Sequence, residues 1–244
     1  MEYTGERAMG DSKELYDFER IYKYVSDKFG DKEKTILDYG CGSGYGTFLM
    51  SKHFSEVSGI DVSDETIAYC KANFKGNNIN FSVLNPLKQP FPDASFDFIF
   101  SFQVFEHVPL DQVEQYIQYV QNMLKPNGKA IITTPNCNNY HNNFSGNIFH
   151  VKEYSQVELE ELFSKYMKDF RVIAVEDVLS TRIRHFIRKK GRNSFVSKLI
   201  SKIITTPIRL MESRSIIKVD HHTMIKTKNV DGVIGSLMVE VDKS

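Results

Sequence analysis

Ile36-Leu37-Asp38-Tyr39-Gly40-Cys41-Gly42-Ser43-Gly44 is the stretch on which the reading of this sequence turns. Thr35 to Tyr39 is a short apolar run of the kind that forms a buried strand, and it ends in three alternating glycines. Glycine is needed where a backbone must turn sharply, and where a ligand must approach without meeting a Cβ. Gly46 to His53 continues as a helix, so the turn joins a strand to a helix whose first N–H groups favour a negative or strongly polar group. Asp61 lies 17 residues beyond Gly44, at the end of the next apolar run, Val57 to Ile60. A carboxylate there can accept hydrogen bonds from both hydroxyls of a ribose. Each feature alone has a plainer reading, a tight turn and a strand-ending acid. Their combination points to a nucleoside-bearing ligand.

Outward from this turn, strands and helices alternate. An amphipathic helix from Ser12 to about Phe29 precedes it, with Gly30 as its stop. Asp64 through Phe74 is helical with Ser63 as N-cap, and Ile79 to Val83 is a third strand. Phe96 to Ser101 is apolar on both faces, as a central parallel strand should be. Leu110 to Leu124 is a helix stopped by Pro126-Asn127-Gly128, and Lys129 to Thr133 is a fifth strand. Asn136 to Phe149 reads as a loop, Gln156 to Met167 as a helix, Phe170 to Val178 as a strand and Val233 to Val241 as the last strand. Such alternation implies a doubly wound, mostly parallel α/β sheet.

Composition narrows the class. The 244 residues are 41% hydrophobic and 25% charged with zero formal net charge, ordinary for a globular chain and unlike a general polyanion binder. Cys41, Cys70 and Cys137 are too few and too scattered for a disulfide framework. With no leader-like segment and no apolar run long enough to cross a bilayer, the expected location is cytoplasmic. A single domain over 1–244 is expected: an arm and helix (1–30), a cofactor-binding core (35–178), a basic insertion or cap (179–230) and the last strand (231–244).

The glycine spacing discriminates between ligands. A dinucleotide fingerprint wants G-x-G-x-x-G, but the third position after Gly42 is Tyr45. The alternating G-x-G-x-G form, with an acid two residues before the first glycine, suits S-adenosyl-L-methionine, which has no pyrophosphate to cradle.

At this point the sequence resembles the class I methyltransferases, in the broad group that includes ubiquinone- and menaquinone-biosynthesis enzymes. The resemblance runs from about Thr4 to Ala174 and returns in the final strand. It rests on Ile36 to Gly46, Gly59-Ile60-Asp61-Val62-Ser63, Pro90-Phe91-Pro92-Asp93-Ala94-Ser95-Phe96-Asp97, Glu106-His107-Val108, Leu124-Lys125-Pro126-Asn127-Gly128 and Thr133-Thr134-Pro135-Asn136. It implies a Rossmann-like, seven-stranded sheet and S-adenosyl-L-methionine as cofactor. By that similarity Gly40, Gly42 and Gly44 pass under the methionine and ribose parts, and Asp38 orients the amino group, directly or through water. Asp61 holds the ribose hydroxyls, and Ile60 and Val62 flank the adenine. Asn85 stands where the family usually has an acid for the adenine amino group. Its amide oxygen can still accept that hydrogen bond. Phe102 and Gln103 face the transferred methyl group. Arg7, in the arm Tyr3-Thr4-Gly5-Glu6-Arg7, meets the cofactor carboxylate or an acidic substrate group, unless it is a solvated terminal arginine.

An alcohol acceptor needs its proton removed, and histidine is the natural base. His150, in Asn147-Ile148-Phe149-His150-Val151-Lys152-Glu153-Tyr154, is the first candidate. His107 is the second, with a packing role as its alternative, and His141 is weaker. None has metal-ligand spacing, so no required metal is expected.

Between Asp177 and Glu212 the sequence has no acidic residue but has Arg182, Arg184, Arg188, Lys189, Lys190, Arg192, Lys198, Lys202 and Arg209, interleaved with apolar residues such as Leu199 and Ile203. A solvated basic face, a cap for a phosphorylated or nucleotide-linked acceptor, and a peripheral membrane or partner contact all remain open readings. Nucleic acid is not expected, for want of a binding motif. The arm and histidine loop are reminiscent of methyltransferases of surface-glycan and capsule assembly, which implies O-methylation of a sugar or phosphate-type oxygen on an activated precursor. Methylation of a quinone-type or lipid-linked ring, or a non-catalytic cofactor-binding module, are the alternatives.

Overall fold

The computed structural model describes residues 15–137, 145–176, 225–226 and 235–243. In chain order these form α1 (Leu15–Phe29), β1 (Thr35–Tyr39), α2 (Tyr45–Met50), β2 (Glu56–Asp61), α3 (Asp64–Asn73), β3 (Ile79–Val83), β4 (Phe96–Phe102), α4 (Val113–Met123), β5 (Leu124–Pro135), α5 (Gln156–Ser164), β6 (Phe170–Glu176), β7 (Ile225–Lys226) and β8 (Gly235–Asp242). Two 3-10 turns, Phe105–His107 and Leu110–Gln112, lie between β4 and α4.

The strands make one sheet in the order β3-β2-β1-β4-β5-β8-β6-β7. Strands β3, β2, β1, β4 and β5 pair in parallel, while β8 is antiparallel to both β5 and β6. The expected Rossmann-like, mostly parallel sheet is therefore present, with the two-residue β7 added beside β6. The order reverses between β1 and β4, so the chain leaves these adjacent strands in opposite directions at their carboxyl ends. Open α/β sheets bind ligands in the crevice so formed.

Alternation along the central strands explains why both faces are covered. Leu37, Ile99, Ala130 and Ile132 point into a core shared with α4 and α5 through Ile117, Val120, Leu159 and Phe163. Their neighbours Ile36, Phe98, Phe100 and Ile131 point the other way, into a core closed by Tyr22 and Val25 of α1 and Met50 of α2. Each strand residue is thus apolar whichever way it faces, the pattern of a sheet buried on both sides. Ser63 caps α3 as expected, its side chain accepting from Thr66 N at 3.1 Å.

One local expectation is corrected. Pro126-Asn127-Gly128 does not form a separate turn between helix and strand. Strand β5 already starts at Leu124, opposite Phe96, and resumes with Lys129 opposite Phe98. The residues between make a bulge, with Asn127 at φ 62. A bulge absorbs the proline and glycine without ending the strand.

Among the described residues no helix is long and apolar enough to cross a membrane. Most of the basic stretch, all of 177–224, lies outside the described residues, as does the arm carrying Arg7.

Gly46 sets how closely α1 approaches α2: a Cβ built on it would lie 2.1 Å from the Tyr22 ring. Helix propensity favours alanine over glycine by about 1 kcal/mol, whereas overpacking costs about 1–3 kcal/mol. Gly46→Ala is therefore expected to lower the midpoint of urea unfolding. A raised midpoint would show that the two helices are free to separate.

Candidate active site

The glycine turn is tied to the end of β2. Gly40 N and Cys41 N both donate to Ile60 O at 2.8 Å, and Gly42 N donates to Asp61 Oδ2 at 3.1 Å. The other Asp61 oxygen accepts from Ser63 N at 3.0 Å. Both carboxylate oxygens are thereby aimed by backbone, the condition for a preorganised acceptor. Asp61 is 7% exposed, at the carboxyl edge of the sheet.

Two of the three alternating glycines are explained by packing within the protein. Gly40, at φ +80, would bring a Cβ to 2.3 Å from Val104, and Gly44, at φ +78, to 2.7 Å from Cys70 Sγ. Gly42 differs. At φ +50 it too favours glycine, yet no described residue comes within 4 Å of where its Cβ would stand. Beside Asp61 it offers bare backbone to a ligand, as the adenosyl part of S-adenosyl-L-methionine requires. The residues at this turn therefore fit that group.

Asp38, expected at the cofactor amino group, is wholly buried. Its carboxylate accepts from Thr47 Oγ1 at 2.6 Å and from Tyr22 OH at 3.4 Å. Burial pushes its pKa up to about 7, against the pull of the two hydroxyls and with a smaller push from Asp61. Asp38 thus joins β1 to α1 and α2.

Of the pair expected around the adenine, Ile60 is fully buried in the core. Its side chain cannot flank a ligand. Val62 is 38% exposed and can. Asn85, exposed past β3, accepts from Leu87 N at 3.0 Å through Oδ1, leaving a second lone pair on that oxygen.

Past β4 the backbone is strained. Gln103 sits at φ 53, a left-handed conformation costly for a residue with a side chain. Its N–H is held by Thr133 and its Nε2 by Thr133 Oγ1 (3.4 Å) and Ser236 Oγ (3.2 Å). Phe102 lies against Tyr22, with ring centroids 5.9 Å apart. Val104 follows and packs on the glycine turn, so the segment running to His107 borders the cofactor side of the crevice.

The two histidines singled out in the sequence come together. Val151 N and Lys152 N donate to the backbone oxygen of Glu106, clamping the loop after β5 onto the turn after β4. His107 Nδ1 donates to Phe149 O at 2.9 Å. The rings of His107 and His150 meet edge to face, 5.1 Å between centroids. His150 Nδ1 is 2.5 Å from Glu153 Oε1, whose side chain is fully buried. Ser145 N and Oγ also donate to Glu153. A carboxylate behind an imidazole fixes its tautomer and orientation. The role of Glu153 was not anticipated. Its separation of three residues from His150 was the available signal. His141 lies outside the described residues.

Known proteins resemble this chain in sequence and in fold. Residues 37–132 match the family described as "Methyltransferase domain". A protein of Mycolicibacterium smegmatis named "Probable S-adenosylmethionine-dependent methyltransferase" is 33% identical over 165 residues, covering 65% of this chain and 62% of the relative. The chain therefore spans about three fifths of that relative's length. A "Ubiquinone biosynthesis O-methyltransferase" of Coxiella burnetii is 31% identical over 118 residues, covering 48% of this chain and 50% of the relative. A solved S-adenosylmethionine-dependent methyltransferase of Archaeoglobus fulgidus shares the fold, at TM-score 0.62, 17% identity and 95% coverage of each chain. Residues 37–132, somewhat less than half of the chain, are thus similar to the methyltransferase-domain family, and the relatives and the fold point the same way.

Proposed function

We propose that this protein transfers a methyl group from S-adenosyl-L-methionine to an oxygen of a small-molecule acceptor. The acceptor in this reading is a sugar or phosphate-type oxygen on a phosphorylated or nucleotide-linked precursor of a surface glycan or capsule. One observation carries the choice of oxygen: the buried Glu153–His150 pair with His107 beside it, reached from the same sheet edge as the glycine turn. A carboxylate-backed imidazole suits a neutral hydroxyl that must lose its proton as the new bond forms. The basic stretch from Arg182 to Arg209 supports an anionic acceptor by charge alone.

The cofactor supplies a methyl group on a sulfonium, ready for in-line displacement. The protein's part is alignment, exclusion of water and removal of the acceptor proton. Asp61 accepts from the ribose hydroxyls, Gly42 gives the sugar room, and Val62 and Asn85 meet the adenine on its apolar surface and at its amino group. Phe102 and Gln103 border the methyl group. Arg7, outside the described residues, is the candidate for the cofactor carboxylate. His150 takes the acceptor proton, held in orientation by Glu153, and His107 closes the other side of the acceptor. The carbon–sulfur bond breaks as the carbon–oxygen bond forms, with the proton passing to imidazole.

Asp61→Ala is expected to weaken cofactor binding by about 1–3 kcal/mol, roughly 5- to 150-fold. Unchanged affinity in calorimetry would remove Asp61 from the ribose. His150→Ala should lower turnover by about 10²- to 10⁴-fold while leaving cofactor affinity intact. Turnover at the wild-type rate, with a panel of phosphorylated and nucleotide-linked metabolites as acceptors, would refute its role.

Asp38 makes cofactor binding pH-linked. With its pKa near 7, about half the molecules carry its proton at neutral pH. A cofactor ammonium nearby favours the carboxylate and lowers that pKa, so binding at pH 7 releases up to about half a proton. Binding enthalpies measured in buffers of different ionisation heat should reveal this release, and Asp38→Asn should abolish it. Equal release by wild type and variant would separate Asp38 from the cofactor.

A further inference from the structure

Spacing along the chain shows no metal motif, yet the fold brings Glu106, His107 and His150 together. One potential ligand atom from each lies within 4.8 Å of the other two. The surrounding hydrogen bonds determine what the imidazoles present. The Phe149 carbonyl can only accept, so His107 carries a proton on Nδ1 and its metal-binding lone pair belongs to Nε2. For His150 the proton on Nδ1 faces the Glu153 carboxylate. Phe149 N donates to Asn147 Oδ1 at 3.1 Å, which turns the Asn147 NH₂ toward His150 Nε2, 3.0 Å away. His150 Nε2 is thereby an acceptor, with its lone pair directed away from Glu153.

An imidazole that binds metal through one nitrogen while giving its other N–H to a carboxylate or backbone carbonyl is the recurrent arrangement of protein metal sites. Both histidines have it, one with a buried carboxylate and one with a carbonyl. Glu106, 1% exposed, adds an anionic oxygen, and Glu153 brings a second buried carboxylate behind His150. Two buried acids converging on two imidazoles favour a cation, which offsets the cost of holding negative charge out of water.

We propose that Glu106, His107 and His150 bind a divalent first-row transition-metal ion of the zinc or cobalt type. Two imidazoles select such a borderline ion over magnesium or calcium. Three protein ligands leave at least one position open. Ligands about 2.0–2.1 Å from a tetrahedral ion stand about 3.3 Å apart, so the ion draws the three side chains inward. At His150 it replaces the Asn147 N–H. Ion binding stands independently of the catalytic reading. Its use rests on the reading of this cluster as the acceptor site: with the ion bound, His150 would be a ligand in place of the base, and an acceptor hydroxyl on the open position, acidified by the ion, would lose its proton to solvent water.

The test is titration of the purified full chain with Co²⁺ and Zn²⁺, followed by calorimetry and, for Co²⁺, by visible absorption, with Mg²⁺ as the hard-ion control. The expected result is one equivalent of Co²⁺ or Zn²⁺, with cobalt absorption bands, and much weaker Mg²⁺ binding. His107→Ala and His150→Ala should each weaken Co²⁺ binding at least about tenfold, and Glu153→Gln, which does not touch the ion, by about 10- to 100-fold. Asn147→Ala should retain or strengthen binding, which a purely structural role for this cluster does not predict. Circular dichroism establishes that each variant is folded. Absence of cobalt bands, or bands unchanged in the folded His107→Ala and His150→Ala variants, overturns the site. Methyl transfer that persists in chelator while no Co²⁺ binds overturns the ion and leaves the catalytic reading. Co²⁺ binding without methyl transfer to any acceptor in the panel leaves the ion and overturns the catalytic reading.

Discussion

Backbone hydrogen bonds between the glycine turn and the end of β2 are the constraint on which the crevice depends. Two successive N–H groups, from Gly40 and Cys41, share the Ile60 carbonyl, and the next, from Gly42, is held by the Asp61 side chain. This fixes the turn against the carboxylate before any ligand arrives. Preorganisation of this kind lowers the ordering cost of binding. It also assigns different tasks to the three glycines: Gly40 and Gly44 accommodate Val104 and Cys70, and Gly42 remains bare. A single alternating motif thus serves packing at two positions and leaves the third uncovered by any described residue.

The same sheet edge carries the second half of the site. Because β1, β4 and β5 run parallel, every loop leaving them emerges on one side of the molecule. Val104 touches the glycine turn, and three residues later His107 meets the loop that brings His150. The strained Gln103 stands between these parts, anchored to β5 and β8 by Thr133 and Ser236. Strain held by a surrounding network is characteristic of functional segments. Here it fixes the direction in which the chain leaves β4.

Much of this was legible in the sequence, for reasons that are local. Runs such as Phe96 to Ser101 are apolar on both faces, and a strand buried between two helix layers requires that. The glycine spacing and Asp61 lie within one strand–helix–strand unit, so their proximity follows from the order of elements. Ser63 announced its cap. What escaped was decided at long range or by burial. Ile60 and Val62 stand on either side of Asp61, but only the fold decides which of them lies inside. Asp38 reads as an acid at the turn, but that its carboxylate also accepts from Thr47 and Tyr22 is visible only in the fold. Glu106 and His107 meet His150 from the far side of α4 and β5, a separation that no spacing rule spans. Pro126 and Gly128 suggest a stop, whereas the pairing of Leu124 with Phe96 converts the stop into a bulge.

The central claim is that bare backbone at Gly42 and the oriented carboxylate of Asp61 grip an adenosyl group whose sulfur faces the histidine pair. The most direct measurement is a crystal structure of the full chain with S-adenosylhomocysteine. The account predicts both ribose hydroxyls within hydrogen-bond distance of Asp61, the sugar lying over Gly42, and the sulfur directed toward His107 and His150. A ligand seated elsewhere, or one whose sulfur points away from that pair, would contradict it.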